Sequence, residues 1–259
     1  MRIGLIGAGN MARALARGWG DPVLCSDGGS GRAQALVDEL GGETGSNVEV
    51  AERADVVILC HKPYQLQGVA AEIRDRVKAV VSVLGGTPTG RVQAEYPSVP
   101  VFSVMPNTPV EVRQGVVVYA ERSAAASPPV DPALEERVLA LFARVATVVR
   151  LPEAQLDAAT ALTGVTPAYY ALLAEAQVDA GVRHGIKPQV AGELVAAAMA
   201  GSAALIARRG YDTLAVRREV TSPAGSTARG LAELERAGVR SAFQSAIDAV
   251  VRPPAEARR

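Results

Sequence analysis

Residues 2–12 read Arg2-Ile-Gly-Leu-Ile6, followed at once by Gly7-Ala-Gly9-Asn-Met-Ala12. The first five residues form a short apolar strand. The segment after them repeats apolar residues at helical spacing through Met11, Leu15 and Trp19 and closes at Gly20-Asp-Pro22. A strand, then Gly-x-Gly-x-x-Ala, then a helix is the order that a dinucleotide-binding fingerprint requires. Gly7 permits the tight turn, Gly9 leaves the backbone open to a pyrophosphate, and Ala12 lets the helix pack closely on the sheet.

Working outward, the next strands repeat this logic. Val23-Leu-Cys25 ends at Ser26-Asp27, with a glycine-rich loop and Arg32 beyond it. An acid at that strand end pairs with a ribose diol and favours NAD, whereas a nearby Arg suits the 2′-phosphate of NADP. Both signals are present, so the sequence leaves the cofactor as NADP(H) or NAD(H); a plain helix cap is a further reading of Asp27. Asp55–Cys60 is a continuous apolar strand, as parallel sheets demand, and ends at His61-Lys62-Pro63. Ala79–Leu84 ends in Gly85-Gly-Thr-Pro88, and Val99–Val104 ends in Met105-Pro-Asn107-Thr-Pro109. Three successive strand ends rich in small, polar and proline residues are where a doubly wound sheet places its ligand. Asn107 can hydrogen-bond a carboxamide or ribose. Later strands are expected at Val116–Tyr119 and Val148–Leu151, flanking a helix near Pro132–Val145, with a surface loop at Glu121–Asp131.

From Glu153 onward only helical patterns occur, over Glu153–Leu162, Pro167–His184, Pro188–Arg208, Ser226–Ala237 and Ser241–Val251. The fold class is therefore α/β: a Rossmann-type, doubly wound parallel sheet over residues 1–151, then an all-helical domain over 152–259. The helix from Pro188 is alanine-rich and apolar nearly all round, which predicts burial. So small a bundle cannot easily hide it, and self-association is the economical answer. The stretch Leu194–Ala207 reads as too short to span a bilayer.

Composition narrows the chemistry. The chain has 259 residues, 49% apolar, with 27 basic against 27 acidic side chains. That balance gives no electrostatic footprint for nucleic acid or an anionic membrane, which points to a small-molecule partner. Cys25 and Cys60 build neither a disulfide framework nor a metal site, and both read as core thiols of a cytoplasmic protein. The sequence holds neither C-x-x-C nor H-E-x-x-H, and its two histidines make a hydrolytic triad improbable. No metal is expected.

Val220–Glu235, Val-Thr-Ser-Pro-Ala-Gly-Ser-Thr-Ala-Arg-Gly-Leu-Ala-Glu-Leu-Glu, is a turn feeding a helix. Its small residues Ala224, Gly225 and Ser226 let an anion approach backbone N–H groups at the positive end of the helix. The Thr227 hydroxyl lies beside that anion. A capped helix with no ligand is the plainer alternative.

Taken in order, Gly-x-Gly-x-x-Ala, a Lys-Pro strand end, Met-Pro-Asn-Thr-Pro, Thr-Pro-Ala-Tyr and Thr-Ser-Pro-Ala-Gly-Ser-Thr resemble pyrroline-5-carboxylate reductases over Ile3–Val251. The resemblance implies NAD(P)H-dependent reduction of a cyclic imine to proline, with a helical domain that dimerises and assembles into larger rings. It implies that Gly7, Ala8, Gly9, Asn10, Met11 and Ala12 bind the pyrophosphate. Ser26, Asp27 and Asn47 would lie at the adenosine end, and His61, Lys62, Pro63, Gly85 and Asn107 would line the rest of the cofactor crevice. Ser222, Gly225, Ser226 and Thr227 would hold the substrate carboxylate, with Thr227 the catalytic side chain near the imine nitrogen. Glu153 matches an acidic position on the substrate side. The chain departs from the family at Ala224 (a family glycine), at the Ser226-Thr227 pair, at Val165 (a family serine), and at Ser103 or Val104, one of which replaces an arginine. Reduction of a neighbouring imine such as pyrroline-2-carboxylate is thus a second reading, and a non-catalytic nucleotide-binding relative is a third. A β-hydroxyacid dehydrogenase is disfavoured, because Lys187 is the only lysine of the second half and stands in a turn.

Overall fold

A computed structural model describes residues 1–122 and 128–251, and the chain divides into two compact units, Met1–Pro167 and Ala168–Arg259. The first unit is built on an eight-stranded sheet in the order β3-β2-β1-β4-β5-β6-β7-β8. Strands β1 (Ile3–Ile6), β2 (Val23–Ser26), β3 (Gly42–Thr44), β4 (Val56–Leu59), β5 (Val80–Ser82) and β6 (Val101–Pro106) run parallel. Helices α1 (Asn10–Trp19), α2 (Arg32–Leu40), α3 (Asn47–Arg53), α4 (Leu66–Ile73) and α5 (Thr89–Glu95) connect them. Val56, Val57, Ile58 and Leu59 are at most 1% exposed, so both faces of β4 are covered, which is why its sequence is apolar without alternation.

The strand order reverses between β1 and β4, the point where a doubly wound sheet opens a crevice at its carboxyl edge. The ends of β1, β2, β4, β5 and β6 share that edge because the strands are parallel. The expected β-α order is present, and two details differ from expectation. Strand β6 runs on through Met105 and Pro106, which pair with β7 (Gly115–Ala120) in antiparallel register. Only a 3-10 turn, Thr108–Val112, joins β6 to β7, and so short a link cannot make the crossover that parallel pairing needs. The sheet closes through α6 (Pro132–Ala143) and β8 (Ala146–Leu151), which pairs parallel with β7.

Val110 anchors that turn with no exposed surface. A Cβ on Gly18 would come within 2.1 Å of its carbonyl oxygen, and one on Gly115 within 2.4 Å of its Cγ1. Both glycines are there because α1 and β7 approach the turn closely. After β8, α7 (Leu156–Thr163) packs on β7 through Leu156 and Ala159. The compact first unit thus continues past the boundary expected at residue 151. The surface loop expected at Glu121–Asp131 includes 123–127, outside the described residues.

The remaining helices are α8 (Thr166–Arg183), α9 (Pro188–Arg208), α10 (Thr213–Glu219), α11 (Ser226–Arg236) and α12 (Val239–Val251). Among the described residues beyond Pro167, Ala191 is the one buried hydrophobic. The burial expected for the helix from Pro188 is therefore not provided by the described residues: Val190 is 43% and Leu194 57% exposed. By length and composition alone α9, with 21 residues, is long and apolar enough to cross a membrane, a property it shares with helices that are covered by protein on all sides.

Candidate active site

The fingerprint turn is pinned from both sides. Gly7 donates its N–H to the Ser26 carbonyl at 3.0 Å. Its φ is +101°, and a Cβ there would lie 2.8 Å from the His61 nitrogen. Only glycine satisfies both constraints. Gly9 differs: it takes an extended conformation as the N-cap of α1, and the nearest atom to a Cβ is Cys60 O at 3.9 Å. The space before α1 is thus open. No side chain caps this helix and no acid stands in its first turn. The first backbone bond runs from Arg13 to the Gly9 carbonyl, leaving the N–H groups of Asn10, Met11 and Ala12 for an anion. Ala8 and Ala12 are buried against the sheet. These residues fit a dinucleotide pyrophosphate.

Around that turn, Ser26 Oγ donates to Asn47 Oδ1 at 2.7 Å, and Asn47 Nδ2 donates to Glu72 at 2.8 Å. Asn47 opens α3, beside Ser46 and Glu49, which form a capping box. Asp27 organises the next loop. Its carboxylate accepts the Gly29 N–H, the Ser30 hydroxyl and the Ala33 N–H at 2.8–2.9 Å. The bonds from Ala33, then Gly29 and Ser30, hold its carboxyl below the usual carboxylate range. Arg32 is exposed at the start of α2.

At the end of β4, His61 Nδ1 lies 2.9 Å from the Lys62 carbonyl, an acceptor, so that nitrogen carries the proton. Nε2 is buried and has no partner, and burial pushes the ring's pKa down. His61 is therefore a neutral acceptor at pH 7. The Cys60 thiol before it is pushed up to about 12 by burial, which removes it as a nucleophile. Lys62 is exposed, and its backbone N–H is held by Gln65 Oε1 at 2.9 Å before Pro63 begins a 3-10 turn. Gly85 after β5 has open space around it.

Asn107 and Glu153 are engaged structurally. Asn107 Oδ1 accepts the Val116 N–H at 2.8 Å, and Nδ2 donates to the Thr163 carbonyl at 3.2 Å. The amide thus ties the end of β6 to β7 and to the end of α7. Glu153 Oε1 accepts the Thr89 N–H at 2.6 Å, and Thr89 Oγ1 donates to the buried Ser103 hydroxyl at 2.9 Å. Thr89, Glu72 and Gln65 were not singled out in the sequence. The partners of Thr89 and Glu72 lie on other elements, where no local pattern marks them, whereas Gln65 caps its own turn through the Lys62 N–H three residues earlier.

In the second unit, α11 repeats the construction of α1. Gly225 is its N-cap in extended conformation (φ −69°, ψ 170°), with no side-chain cap and no acid in the first turn. The Gly225 N–H closes a turn onto the Ser222 carbonyl at 3.1 Å, and a Cβ on Gly225 would strike Ser222 Oγ at 2.4 Å. Ala224 sits at φ +58°, a left-handed conformation that suits glycine. Ser226 and Thr227 are exposed in the first turn.

Comparisons with known proteins agree with this geometry. Residues 153–256 match the model for pyrroline-5-carboxylate reductase dimerisation, and residues 2–86 match that for NADP oxidoreductase coenzyme F420-dependent. A pyrroline-5-carboxylate reductase of Mycobacterium tuberculosis is 35% identical, covering 96% of this chain and 94% of its own. The pyrroline carboxylate reductase of Plasmodium falciparum, solved with NADP bound, superposes with a TM-score of 0.85 at 25% identity, over 97% of this chain and 95% of that one. The Coxiella burnetii pyrroline-5-carboxylate reductase gives a TM-score of 0.83 at 27% identity, over 96% of each chain.

Proposed function

Because the chain belongs to the pyrroline-5-carboxylate reductase family, we propose that it reduces the C=N bond of 1-pyrroline-5-carboxylate with NAD(P)H to give L-proline, the last step of proline synthesis. One observation carries this reading. Two helices, α1 and α11, open on an extended glycine with no side-chain cap and no acidic residue in the first turn. Each leaves backbone donors at a positive helix end for an anion. The reaction brings two anionic groups, a pyrophosphate and a substrate carboxylate.

The chemistry that NAD(P)H supplies when bound is a hydride for the imine carbon. The protein's share is positioning. The α1 turn holds the pyrophosphate over Gly7–Ala12; Ser26, Asp27 and Asn47 serve the adenosine end. His61, Lys62, Pro63 and Gly85 line the crevice, and Asn107 supports it through β7 and α7. Gly225, Ser226 and Thr227 hold the carboxylate, the turn at Ser222 shapes that cradle, and the Thr227 hydroxyl orients the imine nitrogen. A protonated imine is already electrophilic, so a strong side-chain acid is not needed. Glu153 acts from the substrate side by fixing the start of α5. Residues 1–151 thus serve the cofactor, and residues 152–259 serve the substrate and dimerisation, in the cytoplasm.

The test is oxidation of NADH and NADPH with pyrroline-5-carboxylate beside pyrroline-2-carboxylate. Turnover with the first imine is expected. Thr227→Val should lower kcat about tenfold or more, the scale of one oriented hydrogen bond, with little change in cofactor KM. Unaltered kcat would remove Thr227 from the reaction.

A further inference from the structure

We infer that Arg229 supplies the full positive charge of the substrate clamp and sets its affinity for a carboxylate, apart from the hydride step. The inference rests on the reading that Gly225, Ser226 and Thr227 hold the substrate carboxylate. Arg229 lies in the first turn of α11, and its backbone N–H donates to the Gly225 carbonyl at 3.2 Å. Its side chain folds back the same way: Nη1 donates to the Ala224 carbonyl at 2.9 Å. The guanidinium is therefore held one peptide unit from the Gly225 N-cap, at the helix end where the N–H groups of Ser226, Thr227 and Ala228 have no intrahelical partner.

That placement runs against ordinary helix electrostatics. A helix N-terminus carries partial positive charge and repels a cation when no anion is bound. An exposed helical arginine is usually stabilised by an acid four residues away. Glu233 stands at that spacing, yet its carboxylate is bonded to Arg236. Arg229 forms no ion pair among the described residues. The Ala224 bond engages one nitrogen, and Nε and Nη2 have no protein partner among the described residues. An anion is what this corner lacks. A carboxylate at the α11 turn offsets the repulsion and matches the planar donor fork that the guanidinium presents.

The same bond also braces Ala224, whose φ of +58° is disfavoured for a residue with a Cβ. Brace and charge have different signatures. A brace acts on the geometry around Thr227, and so on kcat, and is needed only while residue 224 carries a Cβ. A charge acts on carboxylate binding, persists when Ala224 is replaced by glycine, and is screened by salt.

The experiment measures kcat and KM for pyrroline-5-carboxylate, the cofactor KM, and the inhibition constant of L-proline, a carboxylate bound without turnover. Arg229→Gln should raise the imine KM and the proline constant about fivefold, the order of one charge pair a few ångströms apart in water. Its kcat and cofactor KM should stay within about twofold of native, and Arg229→Lys, which keeps the charge, should hold all four constants in that range. The Arg229→Gln effect should persist in an Ala224→Gly background and fall below about twofold in about 0.5 M NaCl. Unchanged imine and proline constants in Arg229→Gln would overturn the proposal. So would a loss confined to kcat, or one that vanishes with Ala224→Gly, each of which marks a brace. Whether or not the variants fold, salt should weaken inhibition of the native protein by L-proline more than by L-prolinamide, which lacks the carboxylate; equal salt dependence would also overturn it. If the native protein does not turn over pyrroline-5-carboxylate at all, the reductase reading itself fails and takes the proposal with it.

Discussion

At the residue scale, Gly7 and Gly9 look alike in sequence and do different jobs. Gly7 combines a φ of +101° with backbone atoms 2.8–2.9 Å from where a Cβ would stand. Gly7→Ala should destabilise the protein by about 2 kcal/mol or more and lower Tm by about 4–8 °C for a unit of this size. At Gly9 the nearest neighbour is 3.9 Å away and the backbone is extended. Gly9→Ala should keep stability within about 1 kcal/mol yet raise the cofactor Kd about tenfold, because the new methyl stands where the pyrophosphate approaches. Thermal melts with nucleotide titrations would separate the two; equal effects on stability would refute the distinction. The fingerprint was legible because its spacing is local. Which glycine serves the fold and which the ligand was not, since the answer depends on Cys60 and His61, more than fifty residues away. Ala224 is the converse case, an alanine in a backbone position suited to glycine, at a cost of about 1 kcal/mol.

At the scale of elements, periodicity gave the strands of the first unit and the long helices of the second. It did not reveal β3, α3 or α10, which are 3, 7 and 7 residues long, too short to show a period. Nor did it reveal the reversal at β7, which follows from the brevity of the Thr108–Val112 turn. Asn107 illustrates the ambiguity of polar residues at strand ends. Sequence offers it as a ligand for a carboxamide, while in the fold both ends of its amide hold protein backbone. Asn107→Ala should cost about 2–4 kcal/mol, because the Val116 N–H and the Thr163 carbonyl both lose a partner. Denaturant unfolding in the absence of cofactor measures this, and a loss below 1 kcal/mol would return the amide to a ligand role. Asn107→Asp, which keeps the acceptor for Val116, should recover part of the loss.

For the whole molecule, the helical unit carries the strongest consequence. Leu172 and Leu194 stand open on α8 and α9, in the region matched to a dimerisation family. Leu194→Glu should convert a dimer into monomer in sedimentation velocity, while the far-ultraviolet spectrum of the sheet persists; a variant still dimeric would place the interface elsewhere. Sequence showed that α9 needed cover and named a second copy as the source. It could not show that the described residues of that unit bury only Ala191, because burial is a property of packing and not of composition. Among the described residues, nearly every buried side chain belongs to the first 167. That unit can therefore fold on the ribosome while the remainder is still being made, whereas the helices leave the exit tunnel with nothing to cover them. Where a second copy supplies that cover, maturation is second order in protein, and slower, dilution-dependent protection of newborn chains from proteolysis is the expected outcome in a pulse-chase at low expression.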